Sequence, residues 1–391
     1  MTDNPDRYKI IAFRPELREN LLEVQQYLWG PDRHRNAAYF DWKYNRNPYL
    51  SSSFVRLALF EGQVVGAFAM IGAELEAGQP PHRFSCLEHA DAVVHPDHRR
   101  RGLFERMTRA LLEDAAGQDF EYIIDTSAHR ASAATILKVG WRSPGPVETA
   151  SWHADWEKKS TVRALAKKLP FLRAAYRQLR QRLPAVPAPP ASQGLPFDAL
   201  DKGRSQIDGA AGGHISMGTS PRPEAMADLV ARIGSDGRIR HTRDRRFFAW
   251  RFGNPLSVYR FLFWDDGRLE GYLVLQAPVD AADDYWIHIV DWEATGTQVR
   301  AGLLEAAMEH TPSQMLVIWS ATLSDEVKTL LKSHAFHFSS DTTATDGEVW
   351  QPHVLVRPVR SDIPPTDWRL GDRDLLNLAD WDLRAIYSDN F

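Results

Sequence analysis

A pattern written twice constrains this chain more than anything else in it. Tyr39-Phe40-Asp41-Trp42-Lys43-Tyr44 is followed by Asn47-Pro48, and Phe247-Phe248-Ala249-Trp250-Arg251-Phe252 by Asn254-Pro255. After each comes a strand, a glycine turn and a second strand, from Phe54 to Met70 around Glu61-Gly62 and from Val258 to Leu275 around Asp266-Gly267. Glycine supplies the positive φ such turns need. Unrelated hairpins share turn residues, but the aromatic-basic-aromatic cluster and the Asn-Pro recur in the same order, so the chain reads as a structural duplication. With 391 residues it has room for about two domains.

The rest of each copy reads alike. A strand opens it (Tyr8–Phe13; around His214–Met217), then an amphipathic helix (Glu16–Leu28; Pro223–Ile233). Beyond the hairpin come a strand (Phe84–Val94; Tyr285–Trp292), a helix (Leu103–Ala116; Thr297–His310), a short apolar strand (Tyr122–Ile124; Met315–Trp319) and a further helix (Ala131–Val139; Ser324–Ser333). Strands alternating with helices imply layered α/β domains. The expected division is 1–156, a connecting segment 157–205, and 206–391.

The connecting segment has its own composition. Lys158 to Arg182 holds nine Lys/Arg and no acidic residue, with Val162, Leu165, Leu169, Leu172, Tyr176, Leu179 and Leu183 on one helical stripe. Pro170 breaks or kinks it, and Pro184–Pro190 reads as an extended linker. It is either a connecting helix pair with a solvated basic face or a docking surface for an acidic carrier protein, a peptide or an anionic membrane.

The chemistry concentrates in Asp91-Ala-Val-Val-His-Pro-Asp-His-Arg-Arg-Arg-Gly-Leu-Phe104. A strand runs into a basic, glycine-containing turn that opens a helix. Unpaired N–H groups and the positive dipole end make such a turn an anion site. Gly102 permits close backbone approach, and Arg99, Arg100 and Arg101 add charge-assisted hydrogen bonds to phosphate oxygens. The residues read as a pyrophosphate cradle, against the plainer alternative of a basic surface turn.

This stretch resembles the acyl-CoA signature of the GNAT superfamily, Arg/Gln-x-x-Gly-x-Gly/Ala after a strand ending in Val-x-Pro. Arg99-x-x-Gly102 and Val94-His95-Pro96 fit, while Phe104 stands where the family has a small residue. The resemblance implies an α/β fold of two tandem GNAT-like domains, each a mixed, mostly antiparallel sheet flanked by helices. It implies acetyl-CoA or a longer acyl-CoA as donor, Val93 and Val94 along the pantetheine, and the loop Arg99, Arg100, Arg101, Gly102, Leu103 and Phe104 around the pyrophosphate. No metal is implied. In the second copy the matching turn, Glu293-Ala-Thr-Gly-Thr-Gln298, has no Arg, and Glu293 would repel phosphates, so that copy is expected to shape the acceptor site or brace the first.

The implied reaction is attack by a primary amine on the thioester, with a base for the ammonium proton. The family often places its base eight residues before the proline, which is Glu88; His89 is the second candidate, and Glu88 as a strand residue paired with an Arg is the plain alternative. On a regular strand His89 and Asp91 face away from Glu88. The family's acid, a Tyr four residues before Gly140-Trp141, is here Ile136. His129 and Ser127 lie near enough to be considered. The Trp42 and Trp250 clusters read as core wedged against each hairpin or as acceptor lining.

The single cysteine, Cys86, excludes an intramolecular disulfide, and no apolar run is long enough to cross a bilayer. A polar start and a formal net charge of -4 point to the cytoplasm and away from nucleic acid. The expectation is therefore an acyl-CoA-dependent N-acyltransferase acting on an amine of a small molecule or peptide. The alternatives are transfer from aminoacyl-tRNA and a non-catalytic acyl-CoA-binding scaffold.

Overall fold

The computed structural model describes residues 7–50, 54–128, 130–153, 206–208, 214–279, 286–311, 315–341, 351–360 and 362–388. The basic stretch 158–182, the Pro-rich run and His129 lie outside them. The first copy contributes β1 (Tyr8–Ala12), α1 (Arg18–Trp29), α2 (Arg33–Phe40), a π-turn (Asp41–Asn45), β2 (Phe54–Phe60), β3 (Gln63–Ala77), β4 (His82–Val94), α3 (Leu103–Ala116), β5 (Tyr122–Ala128), α4 (Arg130–Ile136) and β6 (Arg142–Pro146). The chain continues through β7 (Thr149–His153), β8 (Gln206–Asp208), β9 (His214–Gly218), α5 (Pro223–Ile233), β10 (Arg240–His241), α6 (Arg245–Arg251), β11 (Ser257–Asp265), β12 (Leu269–Pro278) and β13 (Ile287–Ala294). It ends with α7 (Thr297–His310), β14 (Met315–Trp319), α8 (Asp325–Ser333), β15 (His337–Phe338), β16 (His353–Pro358) and a tail of short turns to Ser388. Helices α3, α5 and α7 keep the bounds their apolar spacing implies. In α3, Leu103, Met107, Leu111 and Ala115 recur every four residues, and all are buried.

The two sheets are not two consecutive pieces of chain. The first runs β1-β2-β3-β4-β5-β16-β6, and the second β15-β7-β14-β13-β12-β11-β9-β8. Each sheet thus borrows a strand from the other half: β16 lies between β5 and β6, and β7 lies beside β14. The division at 156 and 206 therefore does not separate the sheets. A third crossing comes from β10, which pairs with the end of β3 and holds Arg240 against Glu76 at 2.7 Å. Strand complementation satisfies backbone groups that a lone half would leave open at a sheet edge.

The core is shared in the same way. One apolar cluster joins Leu75, Cys86 and Ile124 of the first half to Phe248, Phe261, Tyr272, Val354 and Trp381 of the second. The duplicated motifs meet each other at its margin. Trp42 and Trp250 stack with centroids 5.2 Å apart and planes 13° apart. Trp42 Nε1 donates to the Trp250 carbonyl at 2.8 Å, and Trp250 Nε1 donates to the Trp42 carbonyl at 3.0 Å. Gly253 leaves room for this contact, because a Cβ there would sit 3.2 Å from the Trp42 ring. The indoles belong to the junction between the copies rather than to the hairpin of either one.

Because each sheet lacks a strand without its partner, residues 1–205 and 206–391 expressed separately are expected to be insoluble or unfolded. Expressed together they are expected to co-purify as one complex with a single calorimetric transition, and two independently soluble, separately melting halves are the opposite outcome.

Candidate active site

In the first sheet the parallel pair is β4–β5, and its pairing is short. Register runs Cys86–Tyr122, Leu87–Ile123, Glu88–Ile124 and then stops, although β4 continues to Val94 and β5 to Ala128. The strands part at Glu88, leaving a fork at their carboxyl ends, where open α/β sheets place ligands.

A bulge makes the fork chemically two-sided. Met70 pairs with His89 but Phe68 pairs with Ala92, so β4 carries one residue more than β3 across this interval. Glu88, Ala90, Asp91 and Val93 consequently share one face, while Leu87, His89, Ala92 and Val94 face α3. Asp91 therefore does not point away from Glu88, as a regular strand would require. It turns toward α1 and the π-turn, meeting Lys43 Nζ at 3.0 Å, the Tyr44 hydroxyl, and Trp29 Nε1 at 3.1 Å. Burial, then the Asp91 charge, raise the Tyr44 phenol and keep it a donor.

Glu88 is 3% exposed, and its Oε1 accepts from the Thr126 hydroxyl at 3.2 Å. It borders a cavity of about 10 Å³ whose other walls include Tyr49, Trp42, Trp250, His241 and Tyr387, so the second half closes over it. His89 lies on the opposite face, with Nδ1 3.1 Å from Asp125 Oδ2 and the ring 4.8 Å from Phe68. Its Nε2 has no hydrogen-bond partner among the described residues. The two candidate bases thus stand at the fork but on different sides of the sheet. Ile136 is fully buried, and the side chain of Ser127 is not described.

The loop ahead of α3 has an anion-binding geometry. Arg100 and Gly102 take φ of 62° and 71°, and Gly102 forms the N-cap without a side-chain acceptor. The first amides of α3 therefore have no carbonyl one turn back. A Cβ at Gly102 would meet nothing within 4 Å, so the loop opens outward there. Arg99, Arg100 and Arg101 are exposed beside it; Arg99 Nε also donates to the Val94 carbonyl, at 3.1 Å, and Arg101 Nη2 to the Asp97 carbonyl, at 3.3 Å. Leu103 is buried, and Phe104 turns inward to lie 5.3 Å from Phe68, so its bulk does not obstruct the loop. Tyr8 and Tyr27 brace the turn through His98 and His95, at 2.9 and 3.0 Å. These features fit a diphosphate. No group of three or more His, Cys, Asp or Glu able to hold a metal occurs among the described residues.

The second copy repeats the fork and fills its mouth with charged side chains. Its parallel pair β13–β14 ends at Ile289–Ile318, and β13 has its own bulge, with Asp291 at the place of Asp91. Gly296 is extended rather than left-handed, so no comparable loop precedes α7. Glu293 does not face a phosphate site. It is buried against Arg243 and Arg384, at 2.6 and 2.7 Å, and Arg384 also reaches Asp291 and the Trp292 carbonyl. Burial alone would raise the Glu293 carboxyl; Arg384, Arg243 and Arg300 outweigh it and hold the group below its ordinary range. Arg384 thus enters the fork and, with Ile289, Asp291, Glu293 and Ile318 of the two strands, lines a charged cavity of about 350 Å³.

Sequence reasoning missed Lys43, Asp91 and Arg384. The first two carried a signal: a basic residue recurs inside the duplicated aromatic cluster, and Asp91 and Asp291 recur ahead of the two turns.

Residues 10–141 match the family model described as an acetyltransferase (GNAT) domain. Among solved structures the chain is similar to a GCN5-related N-acetyltransferase from Anabaena variabilis (TM-score 0.54, 13% identity, 90% of this chain and 73% of that one). It is also similar to a GCN5-related N-acetyltransferase from Kribbella flavida (TM-score 0.53, 12% identity, 91% and 72%). A tandem GNAT protein from the clavulanic acid biosynthesis pathway aligns with TM-score 0.50 and 12% identity over 90% of this chain and 99% of its own length. At these identities the likeness is one of fold. No curated protein sequence matches the chain.

Two outcomes follow from the buried charges. Lys43→Met strands the Asp91 carboxylate and is expected to cost about 3–5 kcal/mol in urea unfolding, with Lys43→Met/Asp91→Asn recovering part of it. Burial, with Arg251 and Arg243 adding to it, holds His241 at a pKa of about 3. Below its unfolded value near 6.5 the unfolded chain binds a proton that the folded one refuses, so stability falls with pH, by about 2 kcal/mol between pH 6.5 and 5 from this group. His241→Phe is expected to flatten that slope, and an unchanged slope would contradict the assignment.

Proposed function

We propose, from the premise that the chain carries a GNAT acetyltransferase domain within a tandem GNAT-like fold, that it transfers an acetyl or longer acyl group from a CoA thioester to a primary amine of a small molecule or peptide. The fold supports acyl transfer in general; the donor, the acceptor and the residues below are our reading. The observation that carries it is the parting of β4 and β5 beside the left-handed loop at α3. An acyl-CoA bound there would have its diphosphate at the amides of Leu103 and Phe104, with Arg99, Arg100 and Arg101 supplying charge. Its pantetheine arm would run past Val93 and Val94, where Arg99 already takes the Val94 carbonyl.

Glu88 is the base in this reading. Its carboxylate removes one proton from the acceptor's ammonium, directly or through one water in the adjoining cavity; the amine nitrogen then bonds to the thioester carbon, the C–S bond breaks, and the second nitrogen proton passes through solvent to the departing thiolate. The carboxylate is buried, oriented by Thr126 and closed in by the second half. His89, held by Asp125 on the far face, positions β5 across the fork. α4 contributes no acid, because its candidate position is the buried Ile136. No helix of the described residues is long and apolar enough to cross a membrane, and we place the reaction in the cytoplasm.

Acetyl-CoA at 100 times its dissociation constant is expected to stabilise the protein by about 2.7 kcal/mol in thermal unfolding. Gly102→Val together with Arg99→Ala should abolish that shift, while Glu88→Gln should retain it and lower thiol release on the order of 10²–10⁴-fold. Absence of any shift with acetyl- or longer acyl-CoAs overturns the donor assignment. Full turnover by Glu88→Gln overturns the base.

A further inference from the structure

The junction between the copies is not symmetric. Trp42 lies five residues before Asn47, whereas Trp250 lies four before Asn254. The extra residue is taken up in the first copy as the π-turn Asp41–Asn45, closed by the Arg46 amide on the Asp41 carbonyl at 2.9 Å. Inserted π-turns tend to occur where a protein has reshaped a helix around a site. Here the turn brings Arg46 to a groove of about 710 Å³ that it shares with Arg245, Arg246, Asp244 and the two stacked indoles. That volume is in the range of small-molecule sites.

The groove is basic and backs onto Glu88. Trp42 and Trp250 line both the groove and the small cavity at Glu88, so the indole pair is their common wall. Arg246 lies 4.5 Å above the ring of Tyr49, which also borders that cavity, and pairs with Glu74 at 3.3 Å in a partly exposed contact that a ligand can displace. The Asp244 carboxylate is committed to capping α6 through the Phe247 amide at 2.9 Å. Arg245 meets Glu224 in a largely exposed pair, which water screens and a ligand can displace.

Resting on the reading of Glu88 as base, we infer that this groove is the acceptor site, and that the acceptor is a small primary amine carrying a phosphate or carboxylate group. Arg46, Arg245 and Arg246 hold the anionic group while the amine lies along the indole wall toward Glu88. Arginine forks suit either anion, so the shared chemistry is an oxyanion tethered to an amine.

Binding is tested without any donor, by isothermal titration of the full chain with phosphoethanolamine, β-alanine and ethanolamine. At least one of the two anionic amines is expected to bind tenfold or more tightly than ethanolamine; which one does so separates phosphate from carboxylate. Arg46→Ala/Arg245→Ala/Arg246→Ala should remove that preference with the melting temperature and acetyl-CoA binding unchanged, and replacing Arg46→Ala by Arg46→Lys within that triple variant should restore part of it. No preference for either anionic amine, or a preference that survives the triple variant, overturns the inference. Failure of the transferase reading registers separately, as absent acetyl-CoA binding or absent thiol release, and leaves these titrations readable.

Discussion

The reciprocal Trp42–Trp250 contact is the constraint around which the molecule is organised. Each indole donates to the other's backbone carbonyl while the rings stack, so the two copies of the motif are fixed in one relative position. Buried indole N–H groups need partners, and each copy supplies the one its counterpart requires. The exchanged strands β7 and β16 and the crossing strand β10 join the halves at further points. An apolar cluster drawn from both halves makes the arrangement a common core rather than a docking of two finished domains.

That arrangement assigns the copies different work. Both contain a parallel strand pair that parts at its carboxyl end and a bulge that turns an aspartate into the interior. In the first copy Lys43 neutralises Asp91 from the side, and no arginine enters the parting of β4 and β5 among the described residues. In the second, Arg384 comes from the chain's tail into the fork itself and bonds Asp291, Glu293 and a strand carbonyl. Buried carboxylates require a counter-charge, and the two copies receive it from different parts of the chain. The second copy contributes instead by lying over Glu88 and supplying two of the arginines in the groove.

The duplicated motif, the hairpins, the helix bounds of α3, α5 and α7, and the loop from Arg99 to Phe104 were legible in the sequence. Their signals are local: apolar spacing, glycine at turns, and a basic turn ahead of a helix. Glu88 was reached through its offset from Pro96, and the structure leaves it buried at the fork. The side of the strand occupied by Asp91 was misjudged because a bulge depends on pairing with β3, which no spacing within β4 reveals. Glu293 was misjudged for a related reason, since its partners Arg243 and Arg384 lie 50 and 91 residues away in the chain.

The sequence by itself determined that there are two copies of one α/β pattern and that only the first has an arginine-rich, glycine-containing turn ahead of its helix, because both facts follow from residues adjacent in the chain. Tertiary structure alone decided which strand completes which sheet, which charges enter each fork, and what stands over Glu88. Those depend on contacts between segments far apart in sequence, where satisfying a buried carboxylate or an open sheet edge selects the partner, and nothing in the order of the residues records which partner is within reach.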